Sequence, residues 1–297
     1  MILVTIIIWR GLSIYFANNI TGKEDELPLI EITDQEIYIN GVTVHYTTAG
    51  DINDQPLLLL QGIGGPFTTG NANNQKMLSV LSQDFFVYAP EHPGHRRSAV
   101  PQEPWDYEDY KRYIVEFVEQ LNIKNPTIVG QSFGGKLAQV YAIDHADDIR
   151  LLVIGDASTS FNDPTLFEKV MPHLVPLGSW LLKSDSVPLL IKRQIIRHTF
   201  SIPDNLVDTA NLAKYAVTMD RSYSLGPFYS DQLDKITTPT IIVWGEKDLQ
   251  FPPDQGRKLN DLLPNSKLYI YEGAGHTAMY QQPDRTLSLI NQALSGL

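Results

Sequence analysis

Two kinds of hydrophobic pattern follow each other along the chain. Residues 36–40 and 42–48 alternate apolar and polar positions around Gly41, which predicts an antiparallel β-hairpin. Further along, short and almost wholly apolar runs alternate with segments of helical periodicity, as is typical of parallel strands buried on both faces. These runs predict strands over residues 57–60, 85–88, 127–129, 151–154, 240–244 and 268–271.

The segments between the strands predict the layers around the sheet. Helices are expected over residues 74–82, 107–121, 133–143, 253–263 and 285–294. Regular alternation of strands and helices predicts an α/β fold with a doubly wound, mostly parallel sheet and right-handed crossovers.

One interval lacks a strand. Between residues 154 and 240 the pattern predicts only helical stretches, over residues 164–171, 178–182, 186–198 and 204–219. An insertion of about 80 residues is too long for a simple connection and should have structure of its own. We therefore expect a helical cap over residues 156–237, inserted between core segments 28–155 and 238–297.

The first 27 residues differ in composition from the rest. Residues 1–9 are nearly all apolar, a milder apolar stretch reaches residue 17, and residues 21–27 form a polar linker. A secretory signal usually has basic residues before its apolar run, whereas Arg10 lies behind it and would interrupt a membrane span. A packed or disordered extension and a cytoplasmic protein are favoured. Export or anchoring remains an alternative, with membrane contact only through residues 1–17.

Composition narrows the functional classes. The chain has 297 residues, 43% of them hydrophobic, which is enough for a sizeable core. Its formal charge of -11 repels nucleic acid and is ordinary for a soluble enzyme that acts on a small molecule. Because the chain has no cysteine, disulfides, a thiolate nucleophile and Cys-ligated metal sites are excluded.

The strongest chemical signal is the run GQSFGG at residues 130–135. It follows a predicted strand and precedes a predicted helix, which is the context that a G-x-S-x-G nucleophile elbow requires. The glycines leave room for a sharp turn from which the hydroxyl of Ser132 can project at the carboxyl edge of the sheet. This placement predicts that Ser132 is a nucleophile.

A serine nucleophile needs a base and an acid. His276 follows the last predicted strand in a Gly-rich turn, and Asp248 follows the strand at 240–244. The chain order Ser132, Asp248, His276 is that of α/β-hydrolase triads. Glu246 in the same loop and Asp156 after the preceding strand are rival acids, because both stand where a carboxylate could reach the histidine, but the sequence pattern favours Asp248.

Acyl transfer also needs hydrogen-bond donors for the oxyanion. The backbone N–H of Phe133 follows the nucleophile, and a second donor should come from the loop after residue 60, where Ile63 is the candidate. That Gly-rich loop lacks the lysine and the spacing of a nucleotide-binding loop.

Four segments resemble the α/β-hydrolase superfamily: HPGHRRS (92–98), GQSFGG (130–135), WGEKDLQFPP (244–253) and GAGHTAMYQQP (273–283). They look like its capped esterase, C–C hydrolase and peptidase-like branch, and the match extends from about residue 35 to the end. The resemblance implies an eight-stranded sheet, a lid and a mechanism without metal or organic cofactor. The chain departs from the common pattern at Gln61-Gly62 and at Gly94-His95-Arg96, which bears on substrate choice. A serine at the elbow disfavours dehalogenation and epoxide opening, which use aspartate there in this superfamily.

We expect a serine hydrolase that cleaves a carboxylic ester through an acyl-enzyme. The alternatives are a C–C bond hydrolase acting on a diketone, a lactonase, a peptidase and a non-catalytic receptor of the same fold.

Overall fold

The computed structural model describes residues 30–62, 72–95, 97–103, 105–157, 176–193 and 229–297. The described strands form one sheet of eight strands, in the order β1-β2-β4-β3-β5-β6-β7-β8. The strands are β1 (Ile32–Ile39), β2 (Val42–Ala49), β3 (Gln55–Leu60), β4 (Phe85–Pro90), β5 (Thr127–Gln131), β6 (Leu151–Gly155), β7 (Thr240–Gly245) and β8 (Ser266–Tyr271).

The sheet is antiparallel at one edge and parallel elsewhere. β2 pairs in antiparallel fashion with both β1 and β4, while the pairs from β4 through β3, β5, β6 and β7 to β8 are parallel. The hairpin turn between β1 and β2 has positive φ at Asn40 (46°) and Gly41 (79°), the backbone that two-residue hairpin turns require. Both the predicted hairpin and the mostly parallel sheet are confirmed.

Helices cover both faces of the sheet. They are α1 (Ala72–Leu81), α2 (Tyr107–Gln120), α3 (Phe133–His145), α4 (Pro253–Leu262), α5 (Ala278–Gln281) and α6 (Pro283–Leu294). Leu58 and Leu60 of β3 pack in the cluster with α2, α3 and α4, whereas Leu57 and Leu59 pack in the cluster with α1, α5 and α6. All four leucines are fully buried, which explains why this strand is apolar throughout.

The predicted bounds differ from the structure mainly at β1. This strand begins at Ile32, four residues before the prediction, and most of its residues are exposed because it lies at the sheet edge. Its polar run therefore carries little hydrophobic signal. The short helix α5 and the 3₁₀ helices Ala146–Asp148 and Ser230–Lys235 were not predicted.

Only part of the expected cap lies within the described residues. Residues 176–183 and 189–193 are helical, and no strand occurs in the described parts of 156–237. The helices expected at 164–171 and 204–219 lie outside the described residues, as do residues 1–29 with the leader, so the cap and its bounds remain a prediction. Within the described segments, no helix has the length and apolar character needed to span a membrane.

Candidate active site

The nucleophile candidate lies at a sharp turn between β5 and α3. Ser132 has φ 53° and ψ -117°, a backbone conformation that costs energy in a residue with a Cβ and is typical of functional sites. Neighbouring glycines allow the turn. A Cβ on Gly130 would lie 2.5 Å from the carbonyl oxygen of Gly134, and a Cβ on Gly134 would overlap the backbone of Leu60. The close approach of strand, turn and helix therefore depends on the absence of side chains.

The backbone around Ser132 is tied to the neighbouring strand. Its N–H donates to the carbonyl of Gly155 at the end of β6, at 2.9 Å. Phe133 begins α3, so its N–H is one of the first amides of the helix, which no carbonyl of the same helix can accept. An anion beside Ser132 would meet this amide and the positive end of the helix dipole. The second donor candidate, Ile63, lies outside the described residues.

The structure brings Ser132, His276 and Asp248 together. The Oγ of Ser132 lies 3.0 Å from Nε2 of His276, and Nδ1 of His276 lies 2.9 Å from Oδ2 of Asp248. Since a carboxylate only accepts hydrogen bonds, Nδ1 carries the proton and Nε2 is left to accept the Ser132 hydroxyl. The two hydrogen-bonded pairs, which are 144 and 28 positions apart in the sequence, thus form one continuous chain.

Asp248 is held by the loop that it opens. Its side chain is fully buried, and its Oδ1 accepts from the backbone N–H groups of Gln250 at 2.8 Å and Phe251 at 3.0 Å. The ring of Phe251 packs on the imidazole of His276 with 5.4 Å between centroids. Trp244 in β7 donates its indole N–H to the carbonyl of Phe251 at 2.8 Å, which fixes this turn to the core. One carboxylate oxygen of Asp248 therefore accepts hydrogen bonds from the loop backbone, and the other accepts from His276.

Opposing effects act on the basicity of His276. Burial of the imidazole opposes its protonation, but the charge of Asp248, the hydrogen bond to it and the charge of Asp156 together outweigh burial and raise the pKa of His276. A histidine of raised pKa is a stronger base when it is neutral. The electrostatics therefore favour removal of a proton from a neighbouring hydroxyl.

The two rival carboxylates have other contacts. Glu246 accepts from the backbone N–H of Gly273 at an exposed turn, with 2.9 Å between Oε2 and N. Asp156 is fully buried, and its two oxygens accept from the N–H groups of Gly245 at 2.7 Å and Ala278 at 2.8 Å. Neither carboxylate occupies the position beside Nδ1 of His276, which Asp248 fills.

Two further polar side chains support the site and were not singled out from the sequence. Gln131 is buried directly before Ser132 and donates from Nε2 to the backbone carbonyl of His276 at 2.8 Å. His92 is fully buried, lies 2.9 Å from the carbonyl oxygen of Gln61, and packs edge-on against the ring of Phe133. Burial and the neighbouring His95 lower the pKa of His92 to about 3, against the opposing effect of the bond to Gln61, so its ring stays neutral. Gln131 lies in the GQSFGG motif and His92 in the HPGHRRS motif, and these positions were the signal in the sequence that could have identified them.

Metal binding has no evident place in the part of the chain that the structure describes. In these ranges, no three or more histidine, aspartate or glutamate side chains are grouped so that they could hold an ion.

Comparisons with known proteins agree with this architecture. The family model for the alpha/beta hydrolase fold matches residues 55–186 and 190–283. The 2-hydroxy-6-oxo-6-(2'-aminophenyl)hexa-2,4-dienoic acid hydrolase of Metapseudomonas resinovorans is 26% identical over 275 residues, which cover 86% of this chain and 91% of the relative.

Solved structures share the fold. A serine hydrolase involved in carbazole degradation is 23% identical with a TM-score of 0.67, over 90% of this chain and 100% of that one. An esterase from Rhodococcus sp. ECU1013 is 18% identical with a TM-score of 0.65, over 90% of this chain and 99% of that one. At these identities the two structures extend the likeness to the fold alone. The family model, in contrast, spans most of the sequence from β3 to α6, and with the eight-stranded sheet it shows that this chain belongs to the alpha/beta hydrolase fold family.

Proposed function

We propose that the protein is a serine hydrolase that cleaves a carboxylic ester of a small molecule. The supporting observation is the hydrogen-bonded chain from Ser132 through His276 to Asp248, with distances of 3.0 and 2.9 Å. Such a chain converts a weakly nucleophilic hydroxyl into one that can attack a carbonyl at neutral pH. In this proposal Ser132 is the nucleophile, His276 the general base and Asp248 the acid that orients the base.

The reaction has two halves. In the first, Oγ of Ser132 bonds to the ester carbonyl carbon while its proton passes to Nε2 of His276. The carbonyl oxygen becomes an oxyanion, which the N–H of Phe133 stabilises together with the second donor proposed at Ile63. Collapse of this intermediate breaks the bond to the alcohol, which leaves with the proton from His276.

The second half regenerates the enzyme. His276 takes a proton from water, the resulting hydroxide attacks the acyl carbon, and the second oxyanion uses the same donors. Collapse releases the carboxylic acid and returns the proton to Ser132. Asp248 accepts the hydrogen bond from Nδ1–H of His276 throughout and stabilises the imidazolium that forms in each half.

A C–C bond hydrolase is the second candidate. It is favoured by the Metapseudomonas resinovorans relative, whose name denotes hydrolysis of a 2-hydroxy-6-oxo-dienoic acid. Cleavage of a carbon–carbon bond releases a carbanion, which must be stabilised as it leaves and then protonated. Ester cleavage needs only the groups already assigned, because an alkoxide takes its proton from His276. We therefore place the ester reaction first.

Three measurements test the proposal. Turnover of short p-nitrophenyl esters by the wild-type protein is expected, and Ser132→Ala should lower kcat by about four to six orders of magnitude with unchanged folding. A fluorophosphonate should label a peptide that contains residues 130–135. Activity of Ser132→Ala close to the wild-type rate would refute the assignment of the nucleophile.

Substrate screens separate the alternatives. Turnover of 2-hydroxy-6-oxo-dienoic acids at kcat/KM values well above those for esters would favour the C–C hydrolase. Lactones and aminoacyl p-nitroanilides test the lactonase and the peptidase. Binding without turnover of any of these compounds would favour a receptor.

A further inference from the structure

A second buried carboxylate lies beneath the candidate site and has no part in the proposed proton transfers. Asp156 follows β6 and is fully buried, in a left-handed backbone conformation with φ 43°. Burial and the nearby charge of Asp248 raise the pKa of Asp156, while His276 and the two backbone N–H groups from which Asp156 accepts act in the opposite direction. Keeping an ionisable group here is therefore unfavourable unless its contacts compensate.

The contacts of Asp156 join two loops that carry other candidate residues. Its Oδ1 accepts the N–H of Gly245, the last residue of β7, and Oδ2 accepts the N–H of Ala278, the first residue of α5. Asp248 lies three residues beyond Gly245, and His276 lies two residues before Ala278. The side chain of Asp156 thus connects the loop that carries Asp248 and the turn that carries His276 to the end of β6.

Gln131 holds the same segment through a second hydrogen bond. Its Nε2 donates to the carbonyl oxygen of His276 at 2.8 Å, in a buried contact. Gln131 is the last residue of β5 and precedes Ser132 directly, and β5 pairs with β6 through Gln131 and Gly155. The backbone of residues 276–278 is therefore hydrogen-bonded at two points. Gln131 at the end of β5 bonds to the carbonyl of His276, and Asp156 after β6 bonds to the N–H of Ala278.

This arrangement matters because regular structure does not hold His276 itself. The residue lies in the turn between β8 and α5, outside both elements. Its ring must keep Nε2 within hydrogen-bond distance of Ser132, and a displacement of about 1 Å in a reacting group can cost on the order of a hundredfold in rate.

We propose that Asp156 and Gln131 are positioning residues, which clamp residues 276–278 so that the imidazole of His276 stays aligned with Ser132. The clamp acts through the backbone of the base and touches neither substrate nor reacting atoms. The inference rests on the proposed function for its effect on rate.

Two substitutions each remove hydrogen bonding by one of the two clamp residues. Asp156→Asn keeps the shape of the side chain, but its amide nitrogen faces a backbone N–H that it cannot accept. Gln131→Met keeps the length and removes the donor. Matched controls are Asp51→Asn, whose carboxylate also accepts a backbone N–H but in an exposed turn, and Gln120→Met, whose amide donates to the carbonyl of Tyr38 at the surface.

The first readout is the split between kcat and KM on a p-nitrophenyl ester. Each clamp variant should lower kcat by about tenfold to a hundredfold with KM changed less than about twofold, because alignment is lost while the pocket is kept. The controls should keep wild-type values. A stability effect alone would lower the folded fraction and leave kcat per folded molecule unchanged, so folded fraction is measured beside activity. Should Asp156→Asn not fold, Gln131→Met provides the same test.

The second readout does not depend on turnover. Proton NMR follows the Nδ1 proton of His276, which is hydrogen-bonded to Asp248, and this resonance should broaden or exchange faster in both clamp variants although Asp248 is unchanged. Turnover that Ser132→Ala does not abolish would refute the proposed function, and the NMR comparison would still decide the clamp. Folded clamp variants with wild-type kcat and an unchanged Nδ1 resonance would refute the clamp.

Discussion

Replacing Asp248 with asparagine tests how the site sets the tautomer of His276. The Oδ1 atom of Asp248 accepts two backbone N–H groups, so the oxygen of an asparagine must keep that position. Its amide nitrogen then faces Nδ1 of His276, where Oδ2 stood 2.9 Å away. Because an amide nitrogen only donates, Nδ1 must become an acceptor and the ring proton must move to Nε2.

The expected loss of kcat follows from the move of the ring proton from Nδ1 to Nε2. With a proton on Nε2, the imidazole points a donor at Ser132 and cannot take the hydroxyl proton. Loss of the correct tautomer lowers kcat by about 10⁴ in serine proteases, which corresponds to about 5 kcal/mol of transition-state stabilisation. We expect a loss of the same order here, with little change in KM.

The assay is steady-state hydrolysis of a p-nitrophenyl ester by folded Asp248→Asn. Glu246→Gln is the matched control, since Glu246 lies in the same loop but accepts from the backbone N–H of Gly273 at the surface. It should keep kcat within about twofold of wild type, as expected for a surface substitution. If Asp248→Asn keeps more than a tenth of the wild-type kcat, the assignment of Asp248 as the acid is refuted. It is also refuted if Glu246→Gln lowers kcat as much as Asp248→Asn does.

Two further predictions concern the base and the elbow. Because the pKa of His276 is raised and a general base must be neutral, kcat/KM should fall as the pH is lowered, with its midpoint above about 6.5 in a pH–rate profile. A midpoint below the ordinary histidine value would contradict the electrostatics. Gly134→Ala should lower the free energy of unfolding by about 3 kcal/mol or more, since its Cβ would overlap the backbone of Leu60 and stand 2.5 Å from the carbonyl oxygen of Gln61. In urea denaturation, Gly296→Ala, with 3.6 Å to its nearest neighbour, should stay within about 0.5 kcal/mol of wild type, and equal midpoints for the two variants would be the contrary result.

Local pattern was sufficient for most of the fold. The strand at Leu57–Leu60 was predicted because a short, uninterrupted apolar run between helical segments is typical of a strand buried on both faces, and its leucines pack against the helices on both sides of the sheet. The edge strand β1 began earlier than predicted because exposed polar residues give no such signal. The position of β4 between β2 and β3 could not be predicted, since strand order depends on contacts between distant segments.

The candidate site shows a similar division. Ser132, Asp248 and His276 could be selected from the sequence, because each follows a buried strand in a short turn and their chain order is distinctive. The sequence could not show which contacts Asp248, Glu246 and Asp156 each make, because all three carboxylates lie near strand ends.

The sequence by itself determined the class of fold, the strand ends at which chemistry could occur and the residue types present there. Those features depend on hydrophobic periodicity and on glycine-rich turns, which act over a few neighbouring residues. Only the tertiary structure decided which carboxylate meets His276 and that Gln131 and Asp156 grip the segment of the base. The physical reason is that a hydrogen bond requires a separation of about 3 Å between atoms, and such separations across the chain are set by strand register and helix packing.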